Sequence, residues 1–238
     1  MGGSPVIWSA AGTDADVQQD LVKGSDATML SNMLNNDLPS YAQDAVNAGA
    51  SSNATALLQI LQIQRDWILN KNAGISESFD YTFGTTLGYD SWYLLPFGRG
   101  SVKITSNQPY ASSYSIDPRY FSNSFDRLAQ GATARFTRNV SDSSPLEGYV
   151  NSESAPGTAT VGQGSSLNQW AAWVQRNYRS NWHPIGTAAM MSKSLGGVVD
   201  SRNKVVSDCF EGSGLRSFSG VEAQLGLCLM SHINEEEP

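Results

Sequence analysis

Residues 79–106, which read FDYTFGTTLGYDSWYLLPFGRGSVKIT up to Thr105, set the main limit on the fold. Aromatic, Thr and β-branched residues crowd together here, broken by Gly84, Gly88, Pro96, Gly98 and Gly100. Such a block suits short antiparallel strands and tight turns. Segments of helical period flank it on both sides instead of alternating with single strands. Residues 26–48 carry a polar helical pattern around Leu30, Met33 and Leu34 that Pro39 breaks or restarts. From the N-cap Asn53, Leu57, Ile60, Leu61 and Ile68 recur on one face, with Gly74 as a stop. Asp117 and Pro118 offer an N-cap and a first-turn proline to a helix bearing Phe121, Phe125, Leu128 and Ala132. Residues 141–166 are rich in Ser, Gly and Pro and read as a long surface loop with a short strand near 148–150. Leu167, Trp170, Ala171, Val174 and Tyr178 then line a last helix. Helices and strands in blocks predict an α+β fold, an antiparallel sheet with helices packed on one face.

Composition narrows the function. In 238 residues, 15 Lys plus Arg against 22 Asp plus Glu give a net charge of -7, with no basic block to neutralise a phosphate backbone, which excludes a nucleic-acid partner. No apolar run approaches the roughly 20 residues that cross a bilayer, and the opening MGGSPVIWSAAGTD lacks the regions of a signal peptide. Both cysteines, Cys209 and Cys228, fall near the end, and the two histidines, His183 and His232, have no ligand spacing, so no metal site is expected. No GxGxxG occurs; Gly212-Ser213-Gly214 comes nearest, with Ser217 in place of the third glycine. The sequons at Asn53 and Asn139 fit a secreted glycoprotein, and in a chain this rich in Asn, Ser and Thr they also arise by chance.

Arg179, Asn181 and His183 stand two residues apart, so an extended segment points all three side chains one way. A cation, an amide and an imidazole on one face can hold the hydroxyls of a sugar-sized ligand, with the imidazole as general base. The same spacing fits an ordinary core histidine between Trp182 and Pro184 beside a surface arginine.

The stretch NWHPIGTAAMMSKSLGGVVDSRNKV resembles the N-Y/W-H-x-x-G-T-x-x-M-x-P/S-x-x-x-G-G-V-V-D segment of the glucose-methanol-choline (GMC) flavin oxidoreductases. NATALLQILQIQRDWILNKNAGISESF, YDSWYLLPFGRGSVKI and SIDPRYFSNSFDRLAQGATAR extend the resemblance, over about residues 5–206, to the substrate domain of the glucose oxidase branch. The resemblance implies an FAD-dependent oxidoreductase that oxidises the C1 hydroxyl of a sugar, passes hydride to flavin and uses O2 as acceptor. It implies His183 as the base, Arg179 and Asn181 as binders of sugar hydroxyls, and Trp92 and Phe79 as aromatic walls. Glu77 matches a carboxylate that bonds the family's second active-site histidine. The geometry expected is a cleft with Arg179, Asn181 and His183 on one side, Trp92 and Phe79 on the opposite wall and Glu77 near the floor.

After about Val206 the pattern departs. Gly214-Leu215-Arg216 fits, but Ser219-Gly220 stands where Asp-Gly is expected, and Met230-Ser231-His232 arrives two residues late before INEEEP. His232 is either a displaced counterpart of the second histidine or a coincidence. The expected organisation is an N-terminal part of the substrate lobe at 1–98, the GMC C-terminal region at 99–206 with an incomplete flavin-facing segment, and an irregular tail at 207–238. The chain looks like a C-terminal fragment without the FAD-binding half, drawn from an extracellular protein that the resemblance allows to be a homodimer. Its alternatives are a catalytically inactive fragment that binds carbohydrate or a partner, a GMC dehydrogenase, or an aryl-alcohol oxidase.

Overall fold

The computed structural model describes residues 6–7, 24–71, 73–107, 114–181, 186, 189–205 and 229–233. A short strand, β1 (Val6–Ile7), precedes three helices. Asp37 closes α1 (Ala27–Asn36) and opens α2 (Leu38–Asn47), whose first turn holds Pro39, where the fixed φ suits a helix start and the missing N–H is no loss. α3 (Ala54–Asn70) begins at Asn53, whose side-chain oxygen accepts from the Ala56 amide at 3.1 Å. It buries Leu57, Ile60, Leu61, Gln64 and Ile68.

β2 (Ser76–Phe83) and β3 (Thr86–Tyr93) form a hairpin around the two-residue turn Gly84-Thr85, in which Gly84 takes φ 60°. β4 (Ser101–Ile104) and β5 (Tyr114–Asp117) make a separate two-stranded ribbon. α4 (Ser124–Ser141) starts seven residues past Asp117, later than the sequence predicts. The Asp117 carboxylate instead accepts from the Arg119 amide two residues on, and Arg119 and Phe121 sit at φ 48° and 55°, a left-handed path no helix follows. Asn123 is the actual N-cap, accepting from the Asp126 amide at 2.9 Å.

The expected strand near 148–150 is a 3₁₀ turn, Leu146–Gly148. The Ser-rich segment around it is held to the body. Arg138 of α4 makes a bidentate pair with Glu153, Nε to Oε1 at 2.9 Å and Nη2 to Oε2 at 2.8 Å, while its guanidinium stacks 4.3 Å over the Trp170 ring. Trp170 belongs to α5 (Leu167–Asn177), and Tyr178, expected on that helix, leaves it to begin β6 (Tyr178–Ser180). The last described element is β7 (Leu229–Ile233), so five residues of the segment expected to be irregular form a strand. Its partners lie about fifty residues or more away along the chain, and such long-range pairing leaves little local signal.

The main sheet has the order β1-β2-β3-β7-β6, and every pairing between its strands is antiparallel. α4 and α5 cover one face of it, the fold class the sequence predicts. Tyr89, Ser91 and Tyr93 point to the helices and are buried; Tyr89 packs with Trp170, Trp173 and Val174, and Tyr93 with Phe97 and Phe125. α4 and α5 cross closely because Gly131 has no side chain: a Cβ there would lie 2.8 Å from the Ala171 nitrogen.

Three buried polar side chains secure the chain where β3 ends. Gln130 of α4 accepts from the Tyr93 amide at 2.8 Å and donates to the Ser91 carbonyl at 2.9 Å. One turn earlier, Asp126 accepts from the amides of Phe97 at 2.8 Å and Gly98 at 2.7 Å and from the Asn123 side chain at 2.7 Å. Gln64 of α3 donates to the carbonyls of Leu95 and Pro96, and the buried Arg99 guanidinium donates to Gln64 Oε1 at 3.0 Å and to the Pro96 and Gly98 carbonyls. Burial pushes the Asp126 carboxyl up, although its three donors and the Arg99 cation pull the other way.

Gly131→Ala should destabilise the chain by roughly 1–3 kcal/mol through overpacking of the α4–α5 crossing. Gly148→Ala, where a Cβ meets nothing within 4 Å, should leave denaturant unfolding unchanged. Asp126 supports a second expectation. Its folded chain keeps the proton to higher pH than the unfolded chain, whose carboxyl titrates near the ordinary 3.8, so stability falls as pH rises through the folded value. Asp126→Asn should flatten that fall in urea melts above about pH 4, and should cost roughly 1–3 kcal/mol at pH 7 by turning an N–H donor toward backbone donors.

Candidate functional site

The hairpin register places Glu77 opposite Trp92 and Phe79 opposite Asp90. Residues directly opposite in an antiparallel pair share a face, and alternate residues return to it. Glu77, Phe79 and Tyr81 of β2 therefore stand with Gly88, Asp90 and Trp92 of β3 on the face that α4 and α5 do not cover. Apart from Gly88, all of these are half-buried, whereas Tyr89, Ser91 and Tyr93 on the other face are buried.

β7 carries this arrangement to β6. Met230 is the register partner of Trp92 on one side and of Arg179 on the other, so Glu77, Trp92, Met230 and Arg179 occupy one row across four strands. With neighbouring strands roughly 4.8 Å apart, the backbones at Trp92 and Arg179 stand about 10 Å apart. Asn181 follows two residues after Arg179, just past β6, and is 9% exposed. His232 is the register partner of Asp90 in the next row. His183 lies outside the described residues.

Trp92 and Phe79 thus stand beside Arg179 on one face and do not oppose it across a cleft. The physical reason is strand parity: the two-residue turn puts 77, 79, 90 and 92 on the same side, and antiparallel pairing through β7 adds 179 to it. Glu77 meets Trp92 directly, accepting from its indole N–H at 3.2 Å. Phe79 packs against Tyr81, ring centroids 6.2 Å apart, and Tyr81 covers Gly88, where a Cβ would lie 2.4 Å from the Tyr81 ring.

Asp90 and Tyr81 are the residues on this face that sequence reasoning did not single out. The signal that finds them is the Gly84-Thr85 turn, since its two-residue length fixes the whole register. The face combines aromatic surfaces with two carboxylates and a guanidinium, a set suited to a ligand with both C–H faces and hydroxyls. Among the described residues, no group of three His, Cys, Asp or Glu side chains could hold a metal ion, and no helix is long and apolar enough to cross a membrane. Asn53 and Asn139, the two sequon asparagines, are exposed.

Comparison with known proteins agrees with this architecture. The family model for GMC oxidoreductase matches residues 96–207. The chain is 39% identical to glucose oxidase 1 of Penicillium expansum over 173 residues, 73% of this chain and 28% of that protein. It is 40% identical to a glucose oxidase of Aspergillus carbonarius over 73% of this chain and 28% of that protein. It is 37% identical to that of Penicillium chrysogenum over 84% and 32%. The chain therefore spans about a third or less of the length of these relatives. A solved structure of a fungal aryl-alcohol oxidase has the same fold over 86% of this chain and 32% of that one, with a TM-score of 0.59 and 24% identity.

The Glu77–Trp92 contact can be weighed by a double-mutant cycle. Glu77→Ala and Trp92→Phe should couple by roughly 0.5–1.5 kcal/mol in urea unfolding, the usual net value of one hydrogen bond. Strictly additive single variants would mean that the indole N–H contributes nothing through Glu77.

Proposed function

We propose that the chain is a GMC oxidoreductase, the family whose model matches residues 96–207, and that it forms the substrate-domain portion of a glucose oxidase-like enzyme that oxidises the C1 hydroxyl of a sugar, with O2 as final acceptor. The observation that carries this reading is the row Glu77, Trp92, Met230 and Arg179, with Asn181 just beyond it, on the face that α4 and α5 do not cover. An aromatic surface takes the apolar face of a pyranose, and the guanidinium and amide take its hydroxyls. Two hydrogen-bonding side chains of this kind favour a polyol over an aryl alcohol, because an apolar ring would leave them unpaired. Phe79 extends the aromatic wall.

His183, two residues beyond Asn181, is the general base in this reading, with a pKa near neutrality in its ordinary state. Glu77 orients Trp92 through the indole N–H. His232 sits opposite Asp90 in the register and is the second candidate histidine. FAD is the hydride acceptor that the family implies. The reading concerns the sugar side of the reaction. The exposed Asn53 and Asn139 suit glycans and an extracellular location.

The test is a graft of this chain into the Penicillium expansum glucose oxidase 1 in place of the segment it matches. The graft should consume O2 when given glucose. His183→Ala should lower kcat by roughly two to four orders of magnitude, and Arg179→Ala should act mainly on kcat/KM. A His183→Ala graft that turns over at the parent rate would sink the assignment.

A further inference from the structure

We propose that Gln130 is the positioning residue for Trp92, setting from the core side of the sheet the direction in which the indole stands on the open face. This rests on the reading of Trp92 as part of the sugar-facing wall. The Ser91 carbonyl belongs to the peptide group before the Trp92 Cα, and the Tyr93 amide belongs to the one after it. The Gln130 carboxamide holds both, donating to the first at 2.9 Å and accepting from the second at 2.8 Å. One planar group therefore fixes the two peptide planes that define φ and ψ of Trp92, and with them the Cα–Cβ direction of a ring on the opposite face.

A carboxamide suits this task at any pH, since it carries a donor and an acceptor side by side, whereas an ionised carboxylate lacks the donor and an apolar side chain lacks both. The anchor is rigid. Gln130 is fully buried, adjoins Gly131 at the α4–α5 crossing, and sits one turn after Asp126, which holds Phe97 and Gly98. Glu77 steadies the far end of the same residue at the indole nitrogen. Trp92 is thus fixed at its backbone from within the core and at its ring from the open face. A substrate-holding group that is turned from its place holds the substrate less well, so the placement of this ring bears on function.

The test labels the full chain with 5-fluorotryptophan, which gives one fluorine resonance for each of its six tryptophans. The Trp92 signal is the one lost in Trp92→Phe. Gln130→Glu keeps the size and the acceptor and removes the donor once its carboxyl is ionised, so it is read at alkaline pH; Gln130→Met removes both. In Gln130→Glu the Trp92 signal should shift or broaden while the Trp170 and Trp173 signals stay in place, and in Gln130→Met the Tyr93 amide should exchange at least tenfold faster. A folded Gln130→Glu chain with an unmoved Trp92 signal overturns the proposal. So does loss of folding in both variants, which would make Gln130 a residue of core stability alone. In the graft, Gln130→Glu should raise KM for glucose roughly tenfold, the equivalent of about one hydrogen bond, with kcat little changed. A moved Trp92 signal with unchanged KM would uphold the positioning role and overturn instead the reading of Trp92 as a sugar wall.

Discussion

Backbone polar groups at the end of β3 must be satisfied inside a core, and the fold depends on how that is done. Between Ser91 and Gly98 the chain leaves the sheet and turns beneath α3 and α4, where water cannot serve it. Gln130, Asp126 and Gln64 supply the missing partners, and Arg99 closes the set by donating to two carbonyls and to Gln64. Each buried group left unpaired would cost roughly 1–3 kcal/mol, so the arrangement is strongly coupled. Burial lowers the Arg99 guanidinium to about 10, although the neighbouring Asp126 carboxylate pulls the other way. The same side chains tie two helices to the strand that carries Trp92, so core and candidate site share one set of hydrogen bonds.

Much of this was legible in the sequence. The block of aromatic and β-branched residues around 79–106, set between helical segments, led directly to an antiparallel sheet in an α+β fold. Asn53, Pro39 and the Leu167–Val174 face marked helix boundaries because their signals are local: a cap, a fixed φ, a 3.6-residue period. The alternation of Arg179 with Asn181 was likewise local.

What failed was non-local or ambiguous. Asp117 carries the chemistry of an N-cap, yet the same carboxylate closes a turn onto Arg119, and nothing in the residue type distinguishes the two. β7 has no identity until β3 and β6 flank it. Gln64, Asp126 and Gln130 look like ordinary polar positions in a helix, and only packing shows that all three face the core. Asp90 was hidden for a milder reason, since its place opposite Phe79 follows once the two-residue turn is located.

The position of β7 also governs when the open face comes into being. Among the described residues β6 joins the sheet through β7, so the row that carries Arg179 beside Trp92 is completed when Leu229–Ile233 are in place. Residues 181–228 lie between, and at roughly 5–20 residues per second their synthesis takes seconds. The β2–β3 hairpin is built from neighbouring residues and can form within that interval, which would leave the edge of β3 awaiting its partner. Leu94 donates toward β2 at Ile75, so Tyr93 and Ser91 turn their backbone groups the other way, toward that waiting edge. Those are the groups Gln130 occupies. A nascent chain would therefore carry its vacant edge partly blunted by its own helix, which lessens the chance of pairing with another chain's strand before β7 is made.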